Sequence, residues 1–364
     1  MGSRVPERAS PEGKKKQFVR RSVPDNSQRI RHTVQWLFVA LNGWLGIQFW
    51  FWVRYFERGG NALYVSRPSG VEGWLPIAGL MNSKYFLVTG RVPAIHPAAM
   101  FLFLAFLVMS LLLKKAFCAW LCPVGTLSEH LWKLGRRIFG RSFRLFRWLD
   151  LPLRGLKYVL LGFFVYVIGA MSAEAVESFM NTPYGLLADV KMLNFFRGIG
   201  VTAALVIGLL VLGSMLVQNL WCRYLCPYGA LMGLASILSP VKIRRDSKAC
   251  IECGKCARAC PAGLQVDRLV QIRSVECTGC MECVAACATE NALQFALPPT
   301  RAATPAQRWN RRALRPVLIA GILAYIFFGA VLYARVTNHW QTNLPRDLYM
   351  SLVPRANQLS HPGM

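Results

Sequence analysis

The cysteines are the residues whose spacing points most directly to chemistry in this chain. Eight of the twelve fall in two runs of one pattern, "CIECGKCARACP" (Cys250–Pro261) and "CTGCMECVAACA" (Cys277–Ala288). The spacing C-x2-C-x2-C-x3-C is typical of a segment that binds a [4Fe–4S] cluster. Three close thiolates reach three corners of one cubane, and the fourth cysteine ligates the other cluster. The sequence therefore predicts two [4Fe–4S] clusters, with two zinc sites as the alternative.

The predicted ligand sets follow from this exchange of the fourth cysteine. The first set is Cys250, Cys253, Cys256 and Cys287, and the second is Cys277, Cys280, Cys283 and Cys260. Small residues such as Gly254, Gly279, Ala285 and Ala286 let the backbone wrap closely around the sulfurs. The second run ends in Cys287–Ala288 without the usual proline, which removes no ligand. Because each run lends a cysteine to the other, the two clusters should lie close enough for fast electron exchange.

The other four cysteines form a repeated motif at the foot of apolar stretches. "CAWLCPVG" (Cys118–Gly125) returns as "CRYLCPYG" (Cys222–Gly229), so both copies read C-x-x-x-C-P-x-G. Cysteines four apart lie on one face of a helix, and the proline should end or bend that helix.

A longer duplication surrounds this motif. "VEGWLP" from Val71 and "VESFMN" from Val176 precede the two cysteine pairs at nearly the same interval. A tandem repeat related by a pseudo-two-fold axis along the membrane normal would bring Cys118, Cys122, Cys222 and Cys226 together at the cytoplasmic membrane surface. This quartet could hold another iron–sulfur cluster or a single metal ion, or act as redox thiols. Small buried cysteines at a helix interface are the structural alternative.

Hydropathy and charge indicate the elements that position these cysteines. The chain is 54% hydrophobic yet carries a net charge of +26, and the charge lies in blocks between apolar stretches, which is typical of a membrane protein. Five stretches approach the length of a membrane-crossing helix: about Val34–Val53, Pro97–Leu113, Tyr158–Ala173, Ile199–Val217 and Val317–Ala334. The predicted fold is an α-helical polytopic membrane protein of about five transmembrane helices, with two tandem helix-pair repeats. A small α+β bacterial-type 2[4Fe–4S] ferredoxin module completes it.

The predicted domain boundaries follow this pattern along the chain. They are a disordered basic cytoplasmic tail (1–33), a four-helix membrane domain with both CxxxCP repeats (34–240), the ferredoxin-like domain (241–297), a linker (298–316), a fifth transmembrane helix (317–334) and an external tail (335–364).

The distribution of basic residues predicts the orientation. Most of the 43 Lys and Arg residues lie in segments 1–33, 114–157 and 219–316, which share one side of a five-span topology. The positive-inside rule puts this side in the cytoplasm of a bacterial inner-membrane protein and the C-terminus in the periplasm. All the cysteines then face a reducing compartment, which favours metal ligation over disulfides. Nucleic-acid binding is not predicted, because no aromatic-basic recognition motif accompanies the charge.

Paired CxxxCP motifs followed by a two-cluster ferredoxin module resemble the NapH/NosR/CcoG group of membrane polyferredoxins. The short NapH- or YccM-like members are the most similar. "VEGWLPIAGLMNSKYFLVTGRVPAIHPA" and "NTPYGLLADVKMLNFFR" resemble loops of this group, and the likeness covers roughly residues 30–300. A NapH resemblance implies a quinol dehydrogenase subunit that binds quinone and passes electrons to a redox partner, either another iron–sulfur subunit or a reductase. A CcoG resemblance implies a copper-reducing assembly factor, and an accessory electron donor without its own substrate is a third possibility.

Three outer residues are candidates for accepting the protons of a quinol. Glu72 and Glu177 occupy equivalent positions in the repeat, each near an aromatic residue, and His96 precedes the second apolar stretch. Both acids could instead pair with basic residues such as Arg67, Lys191 or Arg197. These candidates lie across about 30 Å of membrane from the predicted clusters. A quinone site beside the CxxxCP cysteines is therefore an equal alternative.

Overall fold

The computed structural model describes residue 21 and residues 25–140, 146–298 and 313–361. Most of the predicted basic tail and most of the predicted linker lie outside these described residues. The last part of the predicted tail is helical, because the first helix begins at Ser27 rather than near Val34.

The described part of the chain is mostly helical. The helices are α1 (Ser27–Glu57), α2 (Pro76–Thr89), α3 (Pro97–Leu113), α4 (Ala116–Trp120), α5 (Pro123–Phe139), α6 (Arg147–Ala170), α7 (Ala173–Met180), α8 (Pro183–Leu186), α9 (Ala188–Arg197), α10 (Val201–Leu216), α11 (Pro227–Ala235), α12 (Lys255–Ala259), α13 (Glu282–Ala285), α14 (Pro316–Val336) and α15 (Arg346–Leu352). Short 3₁₀ turns cover Ser69–Trp74 and Val353–Gln358, and one π-helical turn covers Trp221–Leu225. The strands are β1 (Lys242–Arg245) and β2 (Leu293–Ala296).

Among the described residues, three helices are long and apolar enough to cross a membrane, namely α1, α6 and α14. A fourth crossing results if α9 and α10, which meet at an angle of 81°, count as one bent span. The apolar helix α3 is shorter, with 17 residues. The five predicted spans correspond in position to α1, α3, α6, α10 and α14, and a full crossing by α3 and α10 stays a prediction.

The long apolar helices have apolar surfaces that face away from the protein. On α14, Tyr325, Phe328 and Leu332 are exposed, and on α10 Leu205 and Leu209 are exposed. An apolar outer face around the helices is what a lipid environment favours.

The order of elements in the helical domain repeats along the chain. The first half consists of α1, a 3₁₀ turn and α2 to α5, and the second half consists of α6, α7 to α9, α10, the π-helical turn and α11. The two segments that resemble loops of the family are largely helical, because the first contains α2 and the second contains α8 and α9. Each half places one CxxxCP motif after its second apolar helix, which is the arrangement that the duplicated sequence predicts.

The ferredoxin-like module is a small α+β unit. β1 pairs antiparallel with β2, with Ile243 opposite Phe295, and α12 and α13 lie between the strands in sequence. Both side chains belong to the hydrophobic core that also contains Met109 of α3, Trp120 of α4 and Leu323 of α14, which are part of the helical domain outside the module. The module and the helical domain therefore share one continuous core.

The C-terminal tail covers the end of the helical domain opposite the module. Tyr349 on α15 and Val353 in the following turn pack against Trp52, Val53 and Phe56 of α1. No sequence motif indicated this cap, although buried aromatic packing at that end supplies the apolar area that holds it.

Candidate iron–sulfur centres and the cavity beside them

The two CxxCxxC loops have the same backbone conformation. In each loop the residue before the second cysteine and the residue after it have left-handed φ angles. These are Glu252 (58°) and Gly254 (67°) in the first run, and Gly279 (64°) and Met281 (60°) in the second. Left-handed residues reverse the chain direction within a few residues. The repeated reversal turns three closely spaced cysteines toward one centre.

The structure brings together the four cysteines of the second predicted set. Cys260, Cys277, Cys280 and Cys283 line one small cavity in the module. The fourth member comes from the first run, which is the exchange that the spacing predicts.

The first predicted set lies nearer to the surface. Cys287 lies close enough to Cys250 and Cys253 for their charges to affect its pKa, which burial raises. Cys253 is exposed, whereas Cys283 of the second set is buried. One cluster site therefore faces solvent, and the other lies inside the shared core.

Each CxxxCP motif positions its second cysteine at a helix N-terminus. Cys122 is the N-cap of α5 and Cys226 is the N-cap of α11, and each following proline is the first residue of its helix. The first cysteine of each motif lies in the preceding segment, Cys118 in α4 and Cys222 in the π-helical turn, and each segment ends shortly before the proline. The expectation that one helix carries both cysteines of a motif is therefore wrong, whereas the expected break at the proline is present. Proline fits the first helical position because the N–H that it lacks has no partner there. At Cys226 the sulfur accepts a hydrogen bond from the Gly229 N–H at 3.2 Å.

The lack of space around Gly125 explains why the first motif has a glycine two residues after its proline. A Cβ atom on Gly125 would overlap the carbonyl oxygen of Cys118. The chain therefore folds back on the first cysteine of the motif only if this residue has no side chain. Gly229 occupies the same position in the second half with more room, since a Cβ there would lie 3.5 Å from the Cys226 sulfur.

The four cysteines of the quartet meet at one end of a large cavity. Cys118, Cys122, Cys222 and Cys226 all line it, two from each half of the repeat. Burial is the main cause that raises the pKa of Cys118 to about 12. The charge of Lys115 opposes the rise, and the neighbouring Cys122 and Cys226 thiols add to it. Four adjacent thiolates repel one another in such a site, and a bound metal centre would remove that repulsion.

This cavity extends from the quartet through the helical domain toward the capped end. Its volume is about 810 Å³, and most of its lining is apolar. Phe38 of α1, Leu102 of α3, Leu160 of α6 and Phe327 of α14 contribute to its walls. Arg67 lies at the far end, near the 3₁₀ turn before α2. A cavity of this size and character fits an apolar ligand with a small polar group.

Direct contacts join the helical domain to the cluster loops. Trp120 donates its indole N–H to the Gly279 carbonyl at 3.2 Å, and Gln28 donates to the Cys280 carbonyl at 2.9 Å. Lys157 of α6 pairs with Glu276, which directly precedes Cys277, at 2.6 Å. The loop of the buried cluster site therefore rests on the quartet end of the helical domain. The sequence did not indicate these contacts. Lys157 in particular has the pattern of an ordinary charged residue that flanks an apolar stretch.

A group of His32, Glu129 and Glu282 has metal-ligand geometry, but cations of the chain already neutralise it. Arg31 is buried and lies 2.6 Å from Glu129 and 3.0 Å from Glu282. Lys133 lies 2.6 Å from Glu129. The group is best described as an ionic junction between α1, α5 and the module.

The outer residues Glu72 and His96 form part of a closed polar network. Glu72 Oε1 lies 2.8 Å from Arg67 Nη2 and 3.2 Å from His96 Nδ1, and both Glu72 and His96 are fully buried. The same Arg67 nitrogen lies 2.6 Å from Asp189. Neither Glu72 nor His96 lines the cavity. This geometry matches the predicted alternative in which Glu72 pairs with Arg67.

Glu177 has a different environment from its repeat partner. It is exposed and accepts a hydrogen bond from the Tyr85 hydroxyl at 3.1 Å. It does not line the cavity either. The structure therefore brings neither of the repeated acids to the quartet.

Two family models match the chain. One is described as a 4Fe-4S binding domain and matches twice, at residues 95–142 and 199–246. Each match contains one CxxxCP motif, so the two halves of the quartet fit the same iron–sulfur description. The other is described as a 4Fe-4S dicluster domain and matches residues 242–288.

Several curated proteins are similar over long stretches. "Putative electron transport protein YccM" of Escherichia coli (strain K12) is 50% identical over 336 residues, which cover 92% of this chain and 93% of that protein. "Ferredoxin-type protein NapH" of the same organism is 28% identical over 186 residues, 49% of this chain and 60% of that protein. "Regulatory protein NosR" of Pseudomonas aeruginosa is 28% identical over 196 residues, 50% of this chain and 25% of that protein. No solved structure matches the chain.

Proposed function

This chain belongs to the family of ferredoxin-type 4Fe-4S membrane proteins that includes YccM and NapH, and we propose that it transfers electrons between a quinol in its cavity and a redox partner protein. The predictions of two [4Fe–4S] clusters and of membrane-associated iron–sulfur electron transfer are confirmed by the family matches. The quinol, the direction of electron flow and the role of the quartet belong to the proposal.

The observation that carries the proposal is that one apolar cavity ends on the cysteine quartet, directly beside the buried cluster loop. Cys118 and Cys226 line the cavity, and Lys115 acts electrostatically on both of them and on Cys277. Electron transfer between centres requires short distances, and a quartet that lines the cavity and shares Lys115 as a neighbour with Cys277 supports a route from the cavity to the module.

We assign the quartet to an iron–sulfur centre held by Cys118, Cys122, Cys222 and Cys226. Four soft thiolates suit iron–sulfur clusters, zinc and Cu(I). Iron is favoured because each half of the quartet lies within a segment that matches a 4Fe-4S binding domain. An iron–sulfur centre there would accept and donate single electrons.

The two predicted clusters complete the arrangement. Cys260, Cys277, Cys280 and Cys283 would hold the buried cluster, and Cys250, Cys253, Cys256 and Cys287 would hold the one near the surface. Oxidation of one quinol yields a quinone, two protons released to water and two electrons. The exposed Cys253 marks the side of the module where a redox partner protein can approach.

We also propose that the protein spans the bacterial inner membrane five times, with α1, α3, α6, α10 and α14 as spans. The module lies at the same end as the start of α1, and the C-terminal cap lies at the other end. The excess of Lys and Arg on the module side supports a cytoplasmic module and a periplasmic C-terminus.

Anaerobic quantitation of iron, sulfide and copper, combined with EPR, tests the quartet. Two [4Fe–4S] clusters account for about eight iron atoms and a third cluster for about twelve. We expect the wild-type protein to contain the higher number. Changing either Cys118 and Cys122 or Cys222 and Cys226 to Ser should remove the whole additional centre, because both halves ligate one site.

Three outcomes would contradict parts of this assignment. About eight iron atoms in the wild type and in both variants would exclude an iron–sulfur quartet. Copper lost with the quartet would instead support the metal-reducing function implied by a CcoG resemblance. A quinol that reduces no cluster in the wild type, with all centres loaded and oxidised, would contradict the quinol-oxidising role.

A further inference from the structure

The quartet end of the cavity contains two polar side chains that the assignment of the metal centres does not use. Lys115 is the N-cap residue of α4 and is 4% exposed. Tyr228 lies in the first turn of α11, two residues after Cys226. Both line the cavity. Burial raises the pKa of Cys118, and the charge of Lys115 opposes this rise. Burial raises the pKa of Tyr228, and the neighbouring quartet cysteines raise it further. Both side chains therefore lie close to the quartet.

Lys115 differs from the other buried lysines of this region in its hydrogen bonding. Lys114 donates to the Ser274 carbonyl at 3.3 Å, and Lys157 donates to the Glu276 carboxylate at 2.6 Å. Within the described ranges, no acceptor lies within hydrogen-bond distance of the Lys115 ammonium. Burial would raise the pKa of Glu276 and the charge of Lys115 lowers it, but Lys157 and not Lys115 is hydrogen-bonded to that carboxylate. Burying an ammonium group without a hydrogen-bond acceptor is costly. An acceptor in the cavity would offset this cost.

Tyr228 shows the same feature with a neutral group. Its ring packs against Phe103 and Phe117, with ring centroids 5.7 Å and 6.0 Å away. These contacts hold the ring in place, and its hydroxyl has no hydrogen-bond partner among the residues that the structure describes. The Tyr228 side chain is half-buried and lines the cavity, so a ligand in the cavity could supply the partner that tyrosine hydroxyls usually find. Two polar groups without a hydrogen-bond partner in the described part of the chain therefore line the quartet end of a mostly apolar cavity.

We propose that Lys115 and Tyr228 bind the oxygen-bearing ring of a quinol at this end of the cavity, an inference that rests on the proposed function. Tyr228 hydrogen-bonds one ring oxygen. The Lys115 ammonium binds the other oxygen and stabilises it when its O–H bond breaks and the proton passes to water. The apolar walls formed by Phe38, Leu102 and Phe327 accommodate the tail.

A quinol matches this site better than a phospholipid does. The site offers one cation and one phenol, which suits a ring with two separate hydroxyl groups. A phosphate group is usually bound by several donors or cations together. The ring would also lie beside the quartet, where its electrons can leave.

The test measures the Kd of a decyl-substituted benzoquinone for the full-length protein in detergent. Quenching of tryptophan fluorescence reports binding, because Trp221 and Trp74 line the cavity. Loss of one hydrogen bond in Tyr228→Phe should raise Kd about tenfold. Lys115→Met should raise Kd by at least about as much, and Lys115→Arg should restore most of the affinity. Tyr325→Phe on the exposed face of α14 is the matched control and should leave Kd unchanged.

A pH profile separates binding of the ring from a purely structural role. If the ammonium stabilises the deprotonated quinol, the rate of oxidation of decyl-benzoquinol should rise with pH, and Lys115→Met should move this rise to higher pH. Lys115→Arg keeps the charge and should keep the wild-type profile. Iron content is measured in every variant.

Each remaining outcome decides against the inference. Wild-type binding with unchanged Kd in both Tyr228→Phe and Lys115→Met would overturn it and leave the proposed function standing. Loss of iron in Lys115→Met with unchanged Kd in Tyr228→Phe would assign Lys115 to the metal centre instead. A stoichiometric phospholipid that is retained by the wild type and lost in Lys115→Met would replace the quinol. No quinone binding by the fully loaded wild type would overturn the proposed function itself.

Discussion

Lys157 on α6 and Glu276 in the ferredoxin-like module form an ion pair, with Nζ 2.6 Å from Oε1 and 2.8 Å from Oε2. Lys157 is fully buried, and Glu276 directly precedes Cys277 of the buried cluster site. The pair thus fastens the cluster loop to the helical domain beside the quartet. Together with the Trp120–Gly279 and Gln28–Cys280 hydrogen bonds, it sets the position of the module relative to the quartet.

Lys157→Met should weaken the attachment of the module strongly. Removing one partner of a buried ion pair typically costs about 3–5 kcal/mol. The charge of Lys115 also acts on Glu276, so we expect a loss at the lower end of this range. We expect a lower midpoint of thermal unfolding and faster loss of iron. The double variant Lys157→Met/Glu276→Gln is the matched control and should recover part of the loss, because it leaves no unpaired charge. Equal destabilisation by the single and the double variants would show that the pair is not the cause.

Gly125→Ala should abolish the quartet site. The added methyl group would overlap the Cys118 carbonyl oxygen, which belongs to the backbone and cannot rotate away. Gly229→Ala changes the equivalent residue of the second half, where the nearest atom is the Cys226 sulfur at 3.5 Å, an ordinary contact distance. Iron content and EPR of the two variants give the comparison. Loss of the additional centre in Gly125→Ala alone is the expected result, and equal behaviour would contradict the steric account.

The two left-handed glycines of the cluster loops allow a further comparison. Gly254 and Gly279 have φ angles of 67° and 64°, so an alanine at either position has a similar backbone cost, about 1–2 kcal/mol. At Gly279 a Cβ would also lie 3.3 Å from the Leu113 carbonyl oxygen, which is part of the backbone, whereas at Gly254 it would meet only the ends of the Arg258 and Asp267 side chains. Gly279→Ala should therefore lower the thermal midpoint of the holoprotein more than Gly254→Ala. The reverse order would show that the module does not rest on α3 there.

The parts of the molecule that the sequence predicted well are those with strong local signals. The spacing of Cys250, Cys253 and Cys256 reflects the dimensions of a cubane. A long apolar run forms a buried helix or a membrane-spanning helix in nearly every case. The bounds of α3 match its apolar run for the same reason. The two halves of the repeat were visible because the motif around Cys118 and Cys222 kept its spacing.

The parts that the sequence did not predict depend on tertiary packing. A proline after Cys122 is compatible with the end of one helix or with the first position of the next, and only the folded chain distinguishes them. In the sequence, Lys115 and Lys157 have the pattern of charges that flank apolar stretches, and only the folded chain shows that both are buried. Glu72 and Glu177 share a local sequence, yet the C-terminal cap buries only the former. Local sequence carries no information about such a cap.

Glu72 should make the protein sensitive to acid. Burial alone would raise the pKa of Glu72, but the charge of Arg67 and the hydrogen bond with His96 outweigh it and lower the pKa to about 2. A carboxylate with a lowered pKa stabilises the fold at pH values above its ordinary pKa, and this contribution is lost as the pH falls toward 2. From the usual value of 4.5, the shift corresponds to about 3 kcal/mol. Thermal unfolding between pH 6 and pH 3 measures it.

Glu72→Gln should lower the thermal midpoint at pH 6 and flatten its dependence on pH, because the variant has no carboxylate to protonate. Glu177→Gln is the matched control from the other half of the repeat, since Glu177 is exposed and its carboxylate accepts a hydrogen bond only from Tyr85 among the described residues. It should unfold like the wild type at every pH. An acid response in Glu72→Gln as steep as in the wild type would mean that other carboxylates control it. A shifted response in Glu177→Gln alone would assign the acid sensitivity to the exposed half of the repeat.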